Sequence, residues 1–233
     1  MMRFLLAIIA LCAAGPALAV ERSYSIFGFD EIRVRSGINV IIETGRGPSA
    51  KAEAETREIL DRVTLRKSGN ILMVAIDAKP GNGKSFAPDG EVTLRLSTNQ
   101  LKTITHSGAG RVVVDKMAAR TSNIRLSGFG SLSVDALDSD VLNLSMNGGG
   151  QVRVSGKADS AKIELLGSSV FDGAALTVDK LDLLHRGPAS SHVKVLEQAD
   201  LNNSGTGSIL IDGRPNCLVR SSGSAQITCN PKG

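Results

Sequence analysis

The stretch Ser127–Asp135 reads SGFGSLSVD, and related stretches recur on both sides of it. SGAGRVVVD spans Ser107–Asp115 and NGGGQVRVS spans Asn147–Ser155, so the first glycine returns every twenty residues. Weaker copies continue the series as GSSVFDG from Gly167, ASSHVKV from Ala189, SGTGSILID from Ser204 and SGSAQITC from Ser222. A self-similar period of this length is the mark of a repeat architecture.

Apolar residues stand at fixed distances from each glycine corner, with polar residues between them. The column four residues before the corner contains Ile104, Ile124, Leu144, Ile163, Leu201 and Val219. The column four residues after it contains Val112, Leu132, Val152, Phe171, Val193, Ile209 and Ile227, and the column two residues further contains Val114, Val134, Val154, Val195, Ile211 and Cys229. Period-2 alternation bounded by turns predicts strands, with these columns facing inward.

The repeat is too short to hold a helix of ordinary length beside two or three strands. Stacked coils of such strands form a parallel β-helix, in which columns of like residues fill the interior. The glycines then serve as corners that need positive φ or close backbone approach, and a phosphate-binding role is not favoured because strand follows them rather than helix. The coil containing Pro188 departs from the pattern, and we expect a bulge or longer corner there.

The chain is predicted to have a signal peptide followed by one domain. Residues 1–19 contain one basic residue, an apolar run and a closing Ala-Leu-Ala, which is typical of a secretory signal cut before Val20. Leu11 before Cys12 is too large for a lipidation site, and no other segment is apolar enough to span a membrane. We therefore expect a single β-helix domain over residues 20–233, with an irregular part at 20–100 and regular coils at 101–230.

Charge and composition exclude a nucleic-acid binder. The net charge is +4, and removal of the signal peptide takes away Arg3 and leaves +3. The basic residues are scattered, with one tyrosine and no tryptophan in the chain. A nucleic-acid surface would need clustered charge or stacking rings.

The stretch AKPGNGKS at Ala78–Ser85 fits a loose phosphate-loop pattern. That mechanism needs a helix starting at Lys84, whose N–H groups point at phosphate. Pro88 and Gly90 would break such a helix in its first turns. We expect no nucleotide binding there and no cofactor elsewhere.

Two further features of the sequence are candidate sites. Asp115 and Asp135 occupy equivalent positions on adjacent coils, with Asp212 in the same column, and stacked carboxylates of this kind could serve a polysaccharide-active enzyme. A turn role is favoured for them, because Asp after a strand hydrogen-bonds its own backbone and no further catalytic cluster accompanies it. Phe129 stands at a corner tip and is a candidate contact point on the same flank.

The histidines and cysteines do not form a metal site. His106 and His185 fall four coils apart, about 19 Å, and cannot act together. Cys217 and Cys229 remain after signal cleavage, and an even pair in an exported chain favours a disulfide. We predict that this bond closes the last coil, the alternative being two free buried thiols.

The start of the mature chain, FDEIRVRSGINVIIETG with Gly37-Ile38-Asn39 at its centre, resembles the head GIN domain of auto-transporter adhesins. The likeness continues through TLRLSTNQLKTITHSGAG and the glycine corners to the cysteine pair, over nearly all of residues 22–230. The resemblance implies an exported, right-handed parallel β-helix without an established activity. We expect no membrane-barrel segment of the kind that would make this chain an auto-transporter.

These observations favour a non-catalytic exported module, periplasmic or extracellular, that binds a surface, glycan or envelope partner along its flank. Two alternatives remain open: the polysaccharide-active enzyme with an Asp115/Asp135 flank, and a structural periplasmic module that associates with itself. The scarcity of Trp and Tyr weakens both glycan interpretations, because sugars stack on such rings.

Overall fold

The computed structural model describes residues 19–77 and 90–229. The predicted signal peptide, Cys12 and the Ala78–Ser85 stretch lie outside these residues, save Ala19. In the described part, seventeen strands and one short helix are present. They are β1 (Val20–Tyr24), β2 (Glu31–Arg35), β3 (Asn39–Thr44), β4 (Ser49–Ala54), α1 (Arg57–Asp61), β5 (Val63–Ser68), β6 (Ile71–Ile76), β7 (Val92–Thr98), β8 (Thr103–Gly108), β9 (Arg111–Ala118), β10 (Thr121–Gly128), β11 (Ser131–Gly148), β12 (Gln151–Leu166), β13 (Val170–Arg186), β14 (Pro188–Asn203), β15 (Thr206–Gly213), β16 (Asn216–Ser221) and β17 (Gln226–Cys229).

From β8 onward the chain winds as a parallel β-solenoid, which confirms the predicted fold class. Ile124 pairs in register with Ile104 on one side and Leu144 on the other, as the twenty-residue repeat requires. We call the strands that lead into each glycine corner face A and those that leave it face B. Between Val112 and Phe171 the predicted inward column of face B is at most 2% exposed, so side chains fill the interior.

The corner glycines answer a steric demand of the stack. Gly148 has φ +122°, and a Cβ on it would lie 2.6 Å from the carbonyl oxygen of Gly128 one coil below. Coils spaced at strand-pairing distance leave no room for that atom. The same corner position in the first coil holds Ser36, with φ +84°, which among the described residues is the one non-glycine with positive φ.

The first coil does not lie at the end of the stack. Strand β2 pairs in parallel with β6 on one side and β8 on the other, and β3 pairs in the same way with β7 and β9. The coil made by β2 and β3 is thus inserted between the second and third coils of the chain. Both strands belong to the stretch expected to be irregular, yet they continue the inward columns, with Ile32 and Val40 fully buried.

The N-terminal end of the solenoid is closed by antiparallel strands and a helix. Strand β4 pairs with β7 and then with β1, while β5 pairs with β6. Helix α1 is capped by the Thr56 hydroxyl, which accepts a hydrogen bond from the Ile59 N–H. Ile59 and Leu60 are buried against the core, so this end exposes little of it.

The coil containing Pro188 differs from the predicted alignment. Leu183 continues the face A column between Ile163 and Leu201. On face B, Ser191 pairs with Phe171, so the assignment of Val193 and Val195 to their columns is wrong by two residues. The corner of this coil is Gly187, because a Cβ on it would lie 2.8 Å from the Gly167 carbonyl oxygen one coil below, so the face B columns are counted from Gly187 and not from Ala189. The register between β13 and β14 then shifts after Gly173, where a bulge follows. Val193 and Val195 remain buried in the interior.

The last coil is closed by a disulfide, but its apolar residues are only partly buried. Cys217 and Cys229 form a disulfide with a Cα–Cα distance of 6.7 Å, as predicted. Val219 pairs in register with the fully buried Leu201, in the predicted inward column, but it is itself 43% exposed. The reason is that no described coil follows β16 to cover it.

Candidate functional site

A shallow groove runs over face B beside one corner, and we call it the corner groove. Its lining comes from three neighbouring strands, β9, β11 and β12, and apart from the inward Leu132 it consists of residues at outward positions. The lining residues are Arg111, Val113, Ser131, Leu132, Ser133, Gln151 and Arg153. The registers explain this grouping, because Ser131 pairs with both Arg111 and Gln151, and Ser133 with both Val113 and Arg153.

Phe129 stands at the corner where the groove begins. Its side chain is 79% exposed. A Cβ added to Gly149 would lie 2.9 Å from ring atoms Cδ1 and Cε1 of Phe129, so the ring lies over the Gly149 backbone one coil above. The Phe129 N–H donates a 3.2 Å hydrogen bond to the Gly108 carbonyl, which holds the corner in place. The result is an aromatic ring presented on a rigid support.

The groove is rich in hydrogen-bond donors. Among the described residues, no carboxylate pairs with the guanidinium of Arg111. Arg153 forms a 2.8 Å salt bridge with Asp172, and this hydrogen bond is the main cause that lowers the pKa of the Asp172 carboxyl. Hydroxyls of two serines and the amide of Gln151 lie between the two arginines. Such a surface can bind a polar or anionic ligand.

The predicted acidic pair lies on two of these strands, β9 and β11, just beyond the residues that line the groove. Asp115 and Asp135 follow directly after Val114 and Val134, which pair in register. The Asp115 carboxylate accepts hydrogen bonds from the backbone N–H and hydroxyl of Thr44, at 2.9 and 3.1 Å. It therefore joins the inserted first coil to the third coil. The Asp135 carboxylate has no hydrogen bond or ion pair within the described residues.

Asp212 is remote from that pair. It lies four coils beyond Asp135 and instead accepts a 2.6 Å contact from His192 Nε2. His192 in turn pairs in register with Asp172, and this series of ionisable side chains on face B is a feature that the sequence analysis did not predict.

The two inward histidines have structural surroundings. His106 and His185 occupy one column four coils apart, and both are fully buried. His106 Nε2 donates to the Gly110 carbonyl at 2.8 Å, while burial lowers its pKa. His185 contacts Asn203 Oδ1 at 2.8 Å. Across the described ranges, no group of three or more His, Cys, Asp or Glu side chains could hold a metal ion.

The lining of the corner groove could have been found from the repeat. Arg111, Ser131 and Gln151 each follow the second glycine of a corner, at twenty-residue spacing. Only the polar character of the outward columns was noted from the sequence. The sequence contains no comparable sign of how the Phe129 ring is oriented, because the ring occupies the space that a side chain at position 149 would fill.

Comparisons with known proteins agree with this architecture. A family model described as "Putative auto-transporter adhesin, head GIN domain" matches residues 28–215. A search of curated proteins finds no significant match. No helix in the described ranges has the length and apolar character needed to cross a membrane.

Three crystal structures share the fold at low sequence identity. One, described as a putative adhesin from Bacteroides fragilis, has 20% identity and a TM-score of 0.76, covering 91% of this chain and 95% of that one. One from Parabacteroides distasonis, described as a putative lipid binding protein, has 18% identity and a TM-score of 0.71, covering 92% and 98%. A putative adhesin from Parabacteroides merdae has 14% identity and a TM-score of 0.67, covering 93% and 97%.

Proposed function

Because this chain belongs to the "putative auto-transporter adhesin, head GIN domain" family, we propose that it is an exported, non-catalytic module that binds a surface partner. Residues 20–233 would act as one domain in the periplasm or outside the cell. The signal-like residues 1–19 and the disulfide support export, because disulfides persist in oxidising compartments.

The observation that carries this proposal is the exposed Phe129 ring beside the corner groove. The Phe129 side chain is 79% exposed and lies next to the hydrogen-bond donors of the groove, so an apolar contact and polar contacts would be available to one ligand. Its support on Gly149 limits the motion that binding would have to freeze, so contact there loses little entropy. Phe129 would therefore be the apolar anchor of the contact.

The groove chemistry favours an extended polar ligand, and a surface glycan fits it best. Arg111 can donate to a carboxylate or sulfate group, since Arg presents a planar fork of N–H donors. Gln151 and the serine hydroxyls offer donors and acceptors for sugar hydroxyls. The strand from Phe129 to Asp135 extends over about 20 Å, enough for several sugar units.

The enzyme alternative is less well supported by the geometry. Asp115 is occupied by hydrogen bonds to Thr44, so its lone pairs are committed to the fold. A glycosidase needs two free carboxyls on either side of the scissile bond. A lipid ligand would have to lie outside the solenoid, because the inward columns are filled by side chains.

The test is a glycan array and a pull-down from envelope material with the mature protein and two variants. Phe129→Ala and Arg111→Ala should lose most of the binding, while both keep the wild-type fold. Phe27→Ala is the matched control, because Phe27 is 76% exposed and lies before β2, away from the groove. If Phe129→Ala and Phe27→Ala lost binding to the same extent, the groove would not be the binding site.

A second assay addresses catalysis. The purified protein should leave acidic polysaccharides intact in a reducing-end assay. Depolymerisation that disappears in Asp135→Asn would replace the binding proposal with the enzyme alternative.

A further inference from the structure

The two ends of the solenoid are built differently. At the N-terminal end, the edge strand β1 has charged neighbours, with a Lys51–Glu21 salt bridge of 2.6 Å and an Arg22–Asp61 salt bridge of 2.8 Å. The other edge strand there, β5, ends with the basic residues Arg66 and Lys67. Charged edges and antiparallel covers are the usual protection of a sheet against pairing with another chain.

The C-terminal end has an open backbone edge. Strand β16 pairs with β14 and strand β17 pairs with β15. Within the described residues, neither β16 nor β17 has a strand on its other side. One row of N–H and C=O groups on each strand is therefore available to pair with another strand.

The same end exposes the core columns. Val219 is 43% exposed, whereas Leu201, its neighbour in the column, is fully buried. Leu218 beside it is 46% exposed. Strand β17 contains no charged residue and β16 contains only Arg220, so little in the sequence discourages pairing at this edge.

The disulfide keeps this end in shape. Cys217 lies in β16 and Cys229 in β17, so the bond joins the two edge strands of the last coil. A linked last coil cannot fray as an unlinked end would, and a preorganised edge loses less entropy when it pairs.

We propose that the C-terminal end docks against the same end of a second copy of this chain, in a two-fold symmetric dimer. A strand edge is self-complementary when it meets its own copy antiparallel, and a two-fold axis that passes beside Val219 in β16 sets this residue opposite Val219 of the other copy. The exposed apolar residues then cover each other and both cores become continuous. Because the N-terminal end is closed and charged, assembly stops at two copies.

Charge sets the conditions for this dimer. Arg214 and Arg220 lie on or beside β16, and each copy brings both of them to the contact. Like charges across the axis repel, and salt screens that repulsion. The dimer should therefore strengthen as ionic strength rises, which is opposite to an interface built from salt bridges.

The test uses sedimentation velocity of the mature protein over a wide range of concentration and salt. The wild type is expected to show a reversible dimer that is favoured by salt. Val219→Lys should abolish the dimer. Val170→Lys is the matched control, because Val170 is a valine of 40% exposure that lies three coils from the end, and it should dimerise as the wild type does.

Several results would overturn the proposal. The wild type could be monomeric at every concentration, or Val170→Lys could lose the dimer as fully as Val219→Lys does. Assemblies larger than a dimer would also contradict the proposal. If Val219→Lys unfolds, Leu218→Lys provides the same test at a residue that faces outward. Hydrogen exchange gives an independent readout, because amides of β16 should gain protection with concentration while those of β1 should not.

Discussion

The side-chain oxygen of Asn39 accepts a 3.1 Å hydrogen bond from the backbone N–H of Arg111, seventy-two residues later in the chain. The amide nitrogen of Asn39 also donates to Glu91 at 2.8 Å. The asparagine of the Gly-Ile-Asn motif thus joins the inserted first coil to the coil on each side of it.

We expect Asn39→Ala to destabilise the protein by about 1 kcal/mol, because two hydrogen bonds between coils are lost at a partly exposed site. Asn147→Ala, at an exposed corner where the side chain has no hydrogen bond to any described residue, should have no measurable effect. Urea unfolding followed by circular dichroism measures both changes. Equal stability of the two variants would show that the Asn39 contacts contribute nothing.

Val152→Asp tests the inward register. Val152 is fully buried, so an aspartate there would be an unpaired charge in the core and should cost about 4 kcal/mol. Val113→Asp, at an outward position two coils away, is the control and should be tolerated. The register would be wrong if the Val152→Asp protein had the wild-type melting temperature.

The corner position predicts opposite effects for two substitutions. Gly148→Ala should cost about 2 kcal/mol or more, because φ is +122° and the new Cβ meets the Gly128 carbonyl. Ser36→Gly removes strain at φ +84° and should change stability by less than about 1 kcal/mol, toward greater stability. Thermal unfolding compares the two. A stable Gly148→Ala protein would contradict the steric account of the corner.

His106 should make the protein sensitive to mild acid. Burial lowers its pKa in the folded state below the ordinary value of 6.5, so the unfolded chain binds a proton that the folded chain does not. The contribution of uncharged His106 to the free energy of unfolding is complete above pH 6.5, and it is lost as the pH falls from 6.5 toward the pKa of the folded state.

His106→Met should flatten this pH dependence, because methionine packs in the same column without titrating. Leu126→Met, one coil away in that column, is the control and should keep the wild-type dependence. Urea midpoints at pH 8 and pH 5 measure the effect. An unchanged loss of stability in His106→Met would assign the acid sensitivity to other groups.

The Cys217–Cys229 bond can be measured directly on the exported protein. Alkylation under denaturing conditions without reductant should add no label at these residues, and two labels after reduction. Reduction should also cost about 2–3 kcal/mol by the chain-entropy estimate for so short a loop. Two labels without reductant would show free thiols.

Much of the fold could be predicted from the sequence because the repeat is local. The period set which residues share a column, and alternation set which of them face inward, as Ile124 and Val152 show. The prediction failed at one corner. Ser191 took the place assigned to Val193, because that coil turns at Gly187, which stacks on Gly167, and not two residues later at Ala189.

The candidate site was predicted only in part. Phe129, Asp115 and Asp135 were singled out and lie on neighbouring strands of one flank, while their role in binding remains a proposal. Arg111 and Gln151 were not recognised as lining residues, although the repeat spacing brings them beside Ser131. The hydrogen bonds of Asp115 to Thr44 could not be foreseen, because Thr44 is seventy-one residues away.

By itself, the sequence determined the coil length, the inward columns, the glycine corners and the cysteine pair, since each follows from periodicity or from the chemistry of one residue type. Only the tertiary structure decided that β2 and β3 lie between the second and third coils, that the Phe129 ring rests on Gly149, and that Val219 is left exposed. The physical reason is that strands pair through backbone groups common to all residues. The identity of a strand's neighbour therefore depends on how the whole chain packs, and no local pattern records it.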